Sequence, residues 1–209
     1  MAPVLQVDEM VEDSFEGGPR RFLNSRSGEV FVRVFQGQYY VTNRPGEVLS
    51  TVLGSCIAVC IRDPKIGYGG MNHFLLPQAA GSQPQGFSLR YGVYSIERLI
   101  NDILGHGGDR KRLEVKVFGG ANVLTGMAKI GTRNADFVEA YLEREGLPIV
   151  AKDIRGDIAR RIRYYPTSGR VLLSRISRDT IEIGQQEISL IDRNLLDVEA
   201  GKAEIFKKP

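Results

Sequence analysis

Cys56 and His73 are the residues of this sequence whose types and spacing suit nucleophilic chemistry. Cys56 begins an apolar strand-like run, and His73 lies 17 residues later in a second such run. Adjacent strands joined by a short loop place residues of this kind side by side. A thiol nucleophile needs a base within hydrogen-bond reach, a group that orients the base, and donors for the oxyanion. The residues alone leave open whether the pair is catalytic or whether both side chains belong to the core.

The second cysteine and the second histidine fit structural roles. Cys60 lies in the middle of the apolar run with no turn beside it, which is typical of a buried thiol. His106 stands between two glycines after a predicted helix, where it would interact favourably with the helix dipole. Cys56 differs because Gly54 lets the backbone turn tightly and expose the N–H groups around Ser55 and Cys56 to an oxyanion.

The two cysteines cannot reach each other on an extended strand. Cys56 and Cys60 are four positions apart, a span of roughly 13 Å at the usual rise per residue. A disulfide needs Cα atoms within about 7 Å. Two thiols separated by the longer span of the strand also could not bind one zinc ion together. We therefore expect two free thiols, no metal site and no cofactor.

The composition is that of an ordinary globular protein. The chain has 209 residues, of which 42% are hydrophobic and 25% charged, and its formal net charge is +3. The basic residues are scattered among acidic ones, which favours a solvated surface over a nucleic-acid-binding face. The sequence contains no run of about 18 apolar residues that would predict membrane insertion, and residues 1–29 lack the apolar core of a signal peptide. Because two free cysteines suit a reducing compartment, we expect a cytoplasmic protein.

The hydrophobic pattern predicts an α+β domain with a tail at each end. Residues 1–29 are acidic and polar and predict a poorly ordered extension, residues 30–184 form the domain, and residues 185–209 form a C-terminal segment that could be helical and packed on the domain. Cys56–Arg62 is apolar on both faces, which predicts a strand buried on both sides. The other predicted elements are a hairpin of Val30–Phe35 with Tyr39–Val41, strands at Val48–Leu53, Tyr68–Leu76, Leu113–Phe118 and Ile149–Ala151, helices at about Val93–Leu104 and Asn134–Glu145, and a hairpin of Ala159–Tyr165 with Val171–Ile176. These elements indicate an α/β layered sandwich of mixed β-sheets flanked by two or three helices.

Several short motifs follow one another along the chain. They are Leu53-Gly54-Ser55-Cys56-x-Ala58-Val59-Cys60, Gly70-Met71-x-His73-x-x-Leu76-Pro77, Phe118-Gly119-Gly120-Ala121, Ile130-Gly131-x-Arg133-Asn134, and a segment from Gly156 to Val171 that contains Arg160 or Arg161 and Thr167-x-Gly169. In this order they resemble the chemoreceptor glutamine deamidase family, CheD. The resemblance covers about residues 38–184, and its several independent motifs make it more specific than a lone Gly-x-Cys.

The resemblance implies three catalytic residues. The nucleophile of the family falls on Cys56 and its base on His73. Its third residue is a threonine six positions before the cysteine, which in this chain is Ser50, with Thr51 next to it. We take Ser50 as the residue that orients His73, because a shift of one residue along a strand reverses the face, and we keep Thr51 as the alternative.

The resemblance also implies a reaction and its partners. Receptor glutamine side chains would be hydrolysed to glutamate with release of ammonia, through a thioester on Cys56, in a Cys-hydrolase-like deamidase fold. The substrates would be methyl-accepting chemotaxis receptors, whose methylation sites lie on long helices, so we expect an open groove over Cys56. A CheC-type phosphatase is implied as a binding partner. Asn72 is predicted to be structural, and Arg133 and Asn134 are predicted to cap a helix or fix a loop.

Two other functions remain open from the sequence. One is a different Cys–His hydrolase, such as a protease or an amidase, which would share the pair and differ in groove and substrate. The other is a non-enzymatic chemotaxis adaptor that retains the site as a relic.

Overall fold

The computed structural model describes residues 9–10, 19–25, 27–76, 85–123 and 129–176. All of these except residue 176 belong to one compact unit, Met1–Arg175. Its strands are β1 (Glu9–Met10), β2 (Arg20–Leu23), β3 (Val30–Arg33), β4 (Tyr39–Thr42), β5 (Glu47–Leu53), β6 (Ile57–Asp63), β7 (Tyr68–Phe74), β8 (Glu114–Gly119), β9 (Ile149–Ile154), β10 (Ala159–Tyr165) and β11 (Arg170–Ile176). Its helices are α1 (Gln85–Gly105) and α2 (Ile130–Arg144), and one 3₁₀ turn covers Arg110–Arg112.

The strands form two mixed sheets. The first sheet has the order β1-β2-β3-β5-β10-β11, and the second has the order β4-β7-β6-β8-β9. Strands β3 and β5 are parallel in the first sheet, as are β8 and β9 in the second, whereas β6 is antiparallel to both of its neighbours. The predicted α+β class with mixed sheets is confirmed.

Strand β6 lies between two hydrophobic cores. Its residues Ile57, Val59 and Ile61 belong to a core that the second sheet shares with α1 and α2. Its residues Ala58 and Cys60 belong to a core shared with the first sheet. Because successive side chains of a strand point to opposite faces, an apolar residue at each position buries both faces of β6. The prediction of a strand buried on both sides is confirmed.

The space between the sheets contains side chains from both. The first sheet contributes Val32, Val34, Leu49, Leu53, Ile162 and Tyr164, and the second contributes Ala58, Cys60, Met71 and Phe118. All ten are buried. The candidate site described below lies at this inter-sheet core, so rigid packed elements support it from two sides.

Two of the three sequence predictions for the end regions of the chain can be compared with the structure. The prediction of no regular element before Val30 is wrong for Arg20–Leu23, which pairs with β3. The hairpin of Ala159–Tyr165 with Val171–Ile176 is confirmed, because β10 and β11 are neighbours. The possible helix in residues 185–209 lies outside the described residues.

The predicted hairpin of Val30–Phe35 with Tyr39–Val41 is wrong. Strand β3 pairs with β2 and β5 in the first sheet, whereas β4 pairs with β7 in the second. The segment 34–38 therefore carries the chain from one sheet to the other, and Gly37 turns it with a φ of 85°. A local turn signal does not specify which strand becomes the partner of β3. Here β2 and β5 occupy both edges of β3, so β4 pairs elsewhere.

Among the described residues, no helix combines the length and apolar character that a membrane crossing requires. Helix α1 has 21 residues, but charged side chains such as Arg90, Glu97 and Arg98 interrupt it.

Candidate active site

Pairing between β6 and β7 determines where Cys56 and His73 lie. His73 stands directly opposite Ala58 in this antiparallel pair. Cys56 precedes Ala58 by two residues, so strand alternation places it on the same face, diagonal to His73. Cys56 is half-buried and packs against the inter-sheet core. The two residues that the sequence singled out are therefore neighbours on one face of the second sheet.

His73 is held in a single orientation by two contacts to one ring nitrogen. Its Nδ1 lies 2.8 Å from Oγ1 of Thr51 and 3.3 Å from the carbonyl oxygen of Val34. A carbonyl oxygen only accepts hydrogen bonds, so the contact with Val34 requires the proton on Nδ1. In this tautomer Nε2 carries a free lone pair.

The other ring nitrogen is available for chemistry. Among the described residues, Nε2 of His73 is buried and has no hydrogen-bond partner. Burial lowers the pKa of His73 because it disfavours the charged imidazolium, and the Val34 carbonyl partly opposes this effect. A neutral imidazole with an unpaired Nε2 has the state that a general base requires.

The residue that orients His73 is Thr51, and the choice of Ser50 is wrong for this contact. Thr51 lies between Leu49 and Leu53 on the face of β5 that turns toward the second sheet, and it is 6% exposed. Ser50 lies on the opposite face of β5, between Arg33 and Arg163 of the neighbouring strands. Counting six positions back from Cys56 selected a residue on the outward face of β5. The alternation of side chains along β5 directs Thr51, and not Ser50, toward the second sheet.

The surroundings of Cys56 favour the protonated thiol. Burial raises its pKa to about 11, and the backbone N–H of Cys56 itself acts in the opposite direction. The Sγ donates a weak hydrogen bond to Oε1 of Gln36 at 3.4 Å rather than to Nε2 of His73. In this state the thiol has not transferred its proton to the imidazole. In enzymes that use such a pair, the hydrogen bond between the two groups often forms only when substrate is bound.

The turn before Cys56 is clasped by the turn that follows β8. The N–H of Gly120 donates to the carbonyl of Cys56, and the N–H of Ala121 donates to the carbonyl of Gly54, both at 2.8 Å. A Cβ at Gly119 would lie 2.1 Å from the Cys56 carbonyl oxygen, and the φ of Gly119 is 110°. The Gly-Gly-Ala motif therefore gives the Cys56 turn a close backbone support that a larger residue at position 119 would prevent.

Asn134 fixes the peptide that joins Ser55 to Cys56. Its Nδ2 donates to the Ser55 carbonyl at 2.7 Å, and its Oδ1 accepts from the N–H of Leu76 at 3.1 Å. A trans peptide directs its C=O and N–H to opposite sides. Because the Ser55 carbonyl points toward α2, the N–H of Cys56 points away from the helix. Asn134 is fully buried, and the loop-fixing role predicted for it is confirmed.

The structural roles predicted for three other residues are also confirmed. Cys60 is fully buried in the inter-sheet core. His106 is exposed just beyond the end of α1, where its Nδ1 lies 2.8 Å from the carbonyl oxygen of Asp102 in the last helical turn and its ring stacks on Tyr68 at 4.3 Å. Asn72 accepts from the N–H of Val59 and donates to Ser95, both on the helix-facing side of the second sheet.

A groove of about 820 Å³ opens beside the site on the outer side of the first sheet. Its lining combines aromatic and cationic side chains, and Arg33 and Arg163 lie over the rings of Phe22 and Phe31. The lining residues are Phe22, Asn24, Phe31, Arg33, Val34, Phe35, Ser50, Thr51, Val52, His73, Arg161 and Arg163. The groove reaches Thr51 and His73, and Cys56 is not one of its lining residues. The prediction of an open groove over Cys56 stays a prediction.

The arrangement has the residue types of a site built on a cysteine nucleophile and a histidine base. Across the part of the chain that is described, no group of three His, Cys, Asp or Glu side chains is placed to hold a metal ion.

Comparison with known proteins identifies the family. Residues 75–175 match the family model described as CheD chemotactic sensory transduction. The chain is 50% identical over 194 residues to a probable chemoreceptor glutamine deamidase CheD of Rhodopseudomonas palustris (strain BisA53), covering 90% of this chain and 89% of that protein. It is 44% identical over 192 residues to the protein of that name from Hahella chejuensis (89% and 90% covered), and 52% identical over 142 residues to the one from Caulobacter vibrioides (68% and 76% covered). This chain belongs to the CheD family.

Proposed function

We propose that this chain is a protein-glutamine deamidase that converts glutamine side chains of chemotaxis receptors to glutamate and releases ammonia. The observation that carries this proposal is the state of His73. Its Nδ1 is held by Thr51 and Val34, its Nε2 has no hydrogen-bond partner in the described part of the chain, and it shares a face of the second sheet with Cys56. The relatives described above are named as probable chemoreceptor glutamine deamidases, which supports the choice of substrate.

The reaction begins with proton transfer from Cys56 to Nε2 of His73. The thiolate attacks the side-chain carbonyl carbon of the substrate glutamine, and the N–H of Cys56 is directed to donate to the oxyanion. The imidazolium then protonates the departing nitrogen, which leaves as ammonia and produces a thioester on Cys56. His73 finally activates water, which hydrolyses the thioester and regenerates the thiol.

Thr51 has a positioning role in this sequence. A hydroxyl accepts from Nδ1–H and so stabilises the imidazolium that forms when His73 takes the thiol proton. The carboxylate or amide of other triads serves the same purpose. Because Thr51 and His73 lie on different sheets, the packing of the inter-sheet core fixes their distance.

The layering of helices, second sheet and first sheet supports a Cys-hydrolase-like deamidase fold. The proposed substrates are methyl-accepting chemotaxis receptors, whose glutamines project from long cytoplasmic helices, so the enzyme would act in the cytoplasm. A CheC-type phosphatase is the proposed partner. Conversion of an amide to a carboxylate adds a negative charge to the receptor helix, which biases its signalling state.

Incubation of the purified chain with receptor cytoplasmic fragments tests the proposal. We expect ammonia release together with the mass change from amide to acid at specific glutamines. The Cys56→Ala variant should give neither, while Cys60→Ala, which removes the other thiol, should retain activity. Cleavage of the peptide backbone without amide hydrolysis would identify a protease instead, and receptor binding without either reaction would identify an adaptor.

A further inference from the structure

We propose that Gln36 is an intramolecular substrate of Cys56, so that the chain deamidates one of its own glutamines. The inference rests on the proposed deamidase function, because it uses the same nucleophile and base. It adds a modification site in the chain itself.

The side chain of Gln36 lies at the nucleophile. Its Oε1 accepts a hydrogen bond from Sγ of Cys56 at 3.4 Å. A primary carboxamide on a two-carbon stem is the functional group of the proposed substrate, and here it is in contact with the proposed nucleophile. Gln36 is exposed, so water can enter and ammonia can leave without passing through the core.

The segment that carries Gln36 is tied to the backbone of the base. The N–H of Gly37 donates to the carbonyl of His73 at 2.7 Å, and the N–H of His73 donates to the carbonyl of Gln38 at 3.0 Å. Inside the segment, the N–H of Phe35 donates to Oε1 of Gln38 at 3.1 Å. The backbone on both sides of Gln36 is therefore held in place, which keeps its carboxamide within reach of Cys56 and gives the reaction the advantage of proximity.

The atoms of the proposed step balance without any co-reactant other than water. The Cys56 proton moves to Nε2 of His73, and the sulfur forms a bond to Cδ of Gln36. The C–N bond then breaks, and the nitrogen leaves as ammonia with the proton from His73. Water adds to the thioester carbon and gives its proton to His73, the C–S bond breaks, and the proton returns to sulfur. The net change is a glutamine and water converted to a glutamate and ammonia.

The conversion would change the site in which it occurs. A carboxylate at position 36 lies beside the sulfur and opposes negative charge on the thiolate and on the oxyanion. Before conversion, the carboxamide of Gln36 occupies space that an external glutamine needs. Position 36 thus influences the nucleophile in both chemical forms.

Peptide mass spectrometry of the full-length chain tests the proposal. Wild type and Cys56→Ala are purified in parallel, and fragmentation of the peptide that carries both Gln36 and Gln38 locates any glutamate. Gln38 is an internal control, because its Oε1 accepts from Phe35 instead of Cys56. We expect glutamate at position 36 in wild type, glutamine there in Cys56→Ala, and glutamine at position 38 in both. If Cys56→Ala fails to fold, the near-isosteric Cys56→Ser replaces it.

Two outcomes would overturn the inference. One is an intact Gln36 in a wild-type preparation that deamidates receptor fragments, which leaves the proposed function standing. The other is equal conversion in wild type and in the Cys56 variant, which would indicate uncatalysed hydrolysis. Conversion of Gln36 in wild type alone, with receptor fragments unchanged, would support the inference and reject the receptor substrate.

Mixing the Cys56→Ser variant with active wild type tests whether the reaction is intramolecular. We expect the variant to keep Gln36 intact, since its own position 56 carries no thiol. Conversion of the variant's Gln36 by the wild-type chain would overturn the intramolecular assignment.

Discussion

The hydroxyl of Thr51 lies 2.8 Å from Nδ1 of His73 and so joins the two sheets at the candidate site. Thr51 belongs to β5 of the first sheet and His73 to β7 of the second. The orientation of the proposed base therefore depends on how the two sheets pack, and not on either sheet alone.

Replacement of Thr51 by valine should slow deamidation and leave the fold intact. Valine keeps the shape of the side chain and removes the hydroxyl, so the loss of one hydrogen bond to the imidazolium should reduce kcat about tenfold or more. Thr51→Ser should restore most of the rate. Ser50→Ala is the matched control and should change kcat by less than about twofold, because Ser50 lies on the other face of β5. Ammonia release from receptor fragments measures all three variants, and a larger loss from Ser50→Ala than from Thr51→Val would reverse the assignment.

The acid limb of activity should lie below the ordinary pKa of histidine. Burial lowers the pKa of His73, so the imidazole stays neutral, and able to accept a proton, as the pH falls below about 6.5. Activity is then lost only when the pH falls through the lowered pKa. The pH dependence of kcat/KM measures this limb, and His106→Gln is the control for the other histidine. An acid limb above the ordinary value would contradict a buried neutral His73.

Alkylation of Cys56 should accelerate with pH well into the alkaline range. The thiolate is the reactive form, and burial raises the pKa of Cys56 to about 11. The rate with iodoacetamide in the absence of substrate should therefore keep rising above pH 9 instead of levelling off. Cys60 should not react in the folded chain because it is fully buried. A rate that reaches its plateau near neutral pH would show that Cys56 already exists as a thiolate in the free enzyme.

Asn134→Ala should reduce both stability and activity, whereas Asn72→Ala should reduce stability alone. Each asparagine is fully buried and uses both ends of its amide. Each loss should therefore lower the free energy of unfolding by about 2–4 kcal/mol, since one buried and one half-buried polar group lose their partner. Only Asn134 holds the Ser55–Cys56 peptide. Urea denaturation measures the loss of stability, and ammonia release under conditions in which both variants are fully folded measures the loss of activity. Equal activity losses in the two variants would contradict the positioning role of Asn134.

Gly119→Ala should be far more damaging than Gly46→Ala. Both glycines have positive φ, but a Cβ at Gly119 meets the Cys56 carbonyl oxygen, whereas a Cβ at Gly46 meets nothing within 4 Å. Gly46→Ala should lower the free energy of unfolding by about 1 kcal/mol through backbone strain alone. Gly119→Ala should cost at least about 3 kcal/mol more through the clash. Thermal unfolding of both variants measures the difference, and similar midpoints would mean that the Cys56 turn can move to accommodate the methyl group.

The sequence was sufficient to predict that Cys56 and His73 lie near each other on neighbouring strands. Strand alternation and the small number of cysteines and histidines reduced the possible pairs, and both arguments depend on local pattern. The choice between Ser50 and Thr51 needed a tertiary fact, namely which face of β5 turns toward the second sheet. Two adjacent hydroxyl residues in the middle of a strand do not by themselves indicate which of them points inward.

The contacts of Gln36 and Asn134 could not be predicted for a related reason. Each depends on a connection between elements that are far apart in the sequence: the crossing from β3 to β4, and the packing of α2 on the Cys56 turn. The incorrect hairpin prediction at Val30–Val41 placed both strands in one sheet, so it gave no reason to expect Gln36 near Cys56. A polar residue next to a glycine in the loop was the available signal, and that signal is common in loops.

The backbone pairing of His73 with Gly37 and Gln38 has a consequence for chain connectivity. Residues 34–38, which connect β3 of the first sheet to β4 of the second, also form the backbone hydrogen bonds to His73, the proposed base. The connection between the sheets and the position of the proposed base therefore depend on the same short segment. A circular permutant opened within this linker could retain every strand of both sheets and still lose its base position. A permutant opened at Gly67, in the turn that joins β6 to β7, would leave this linker uncut.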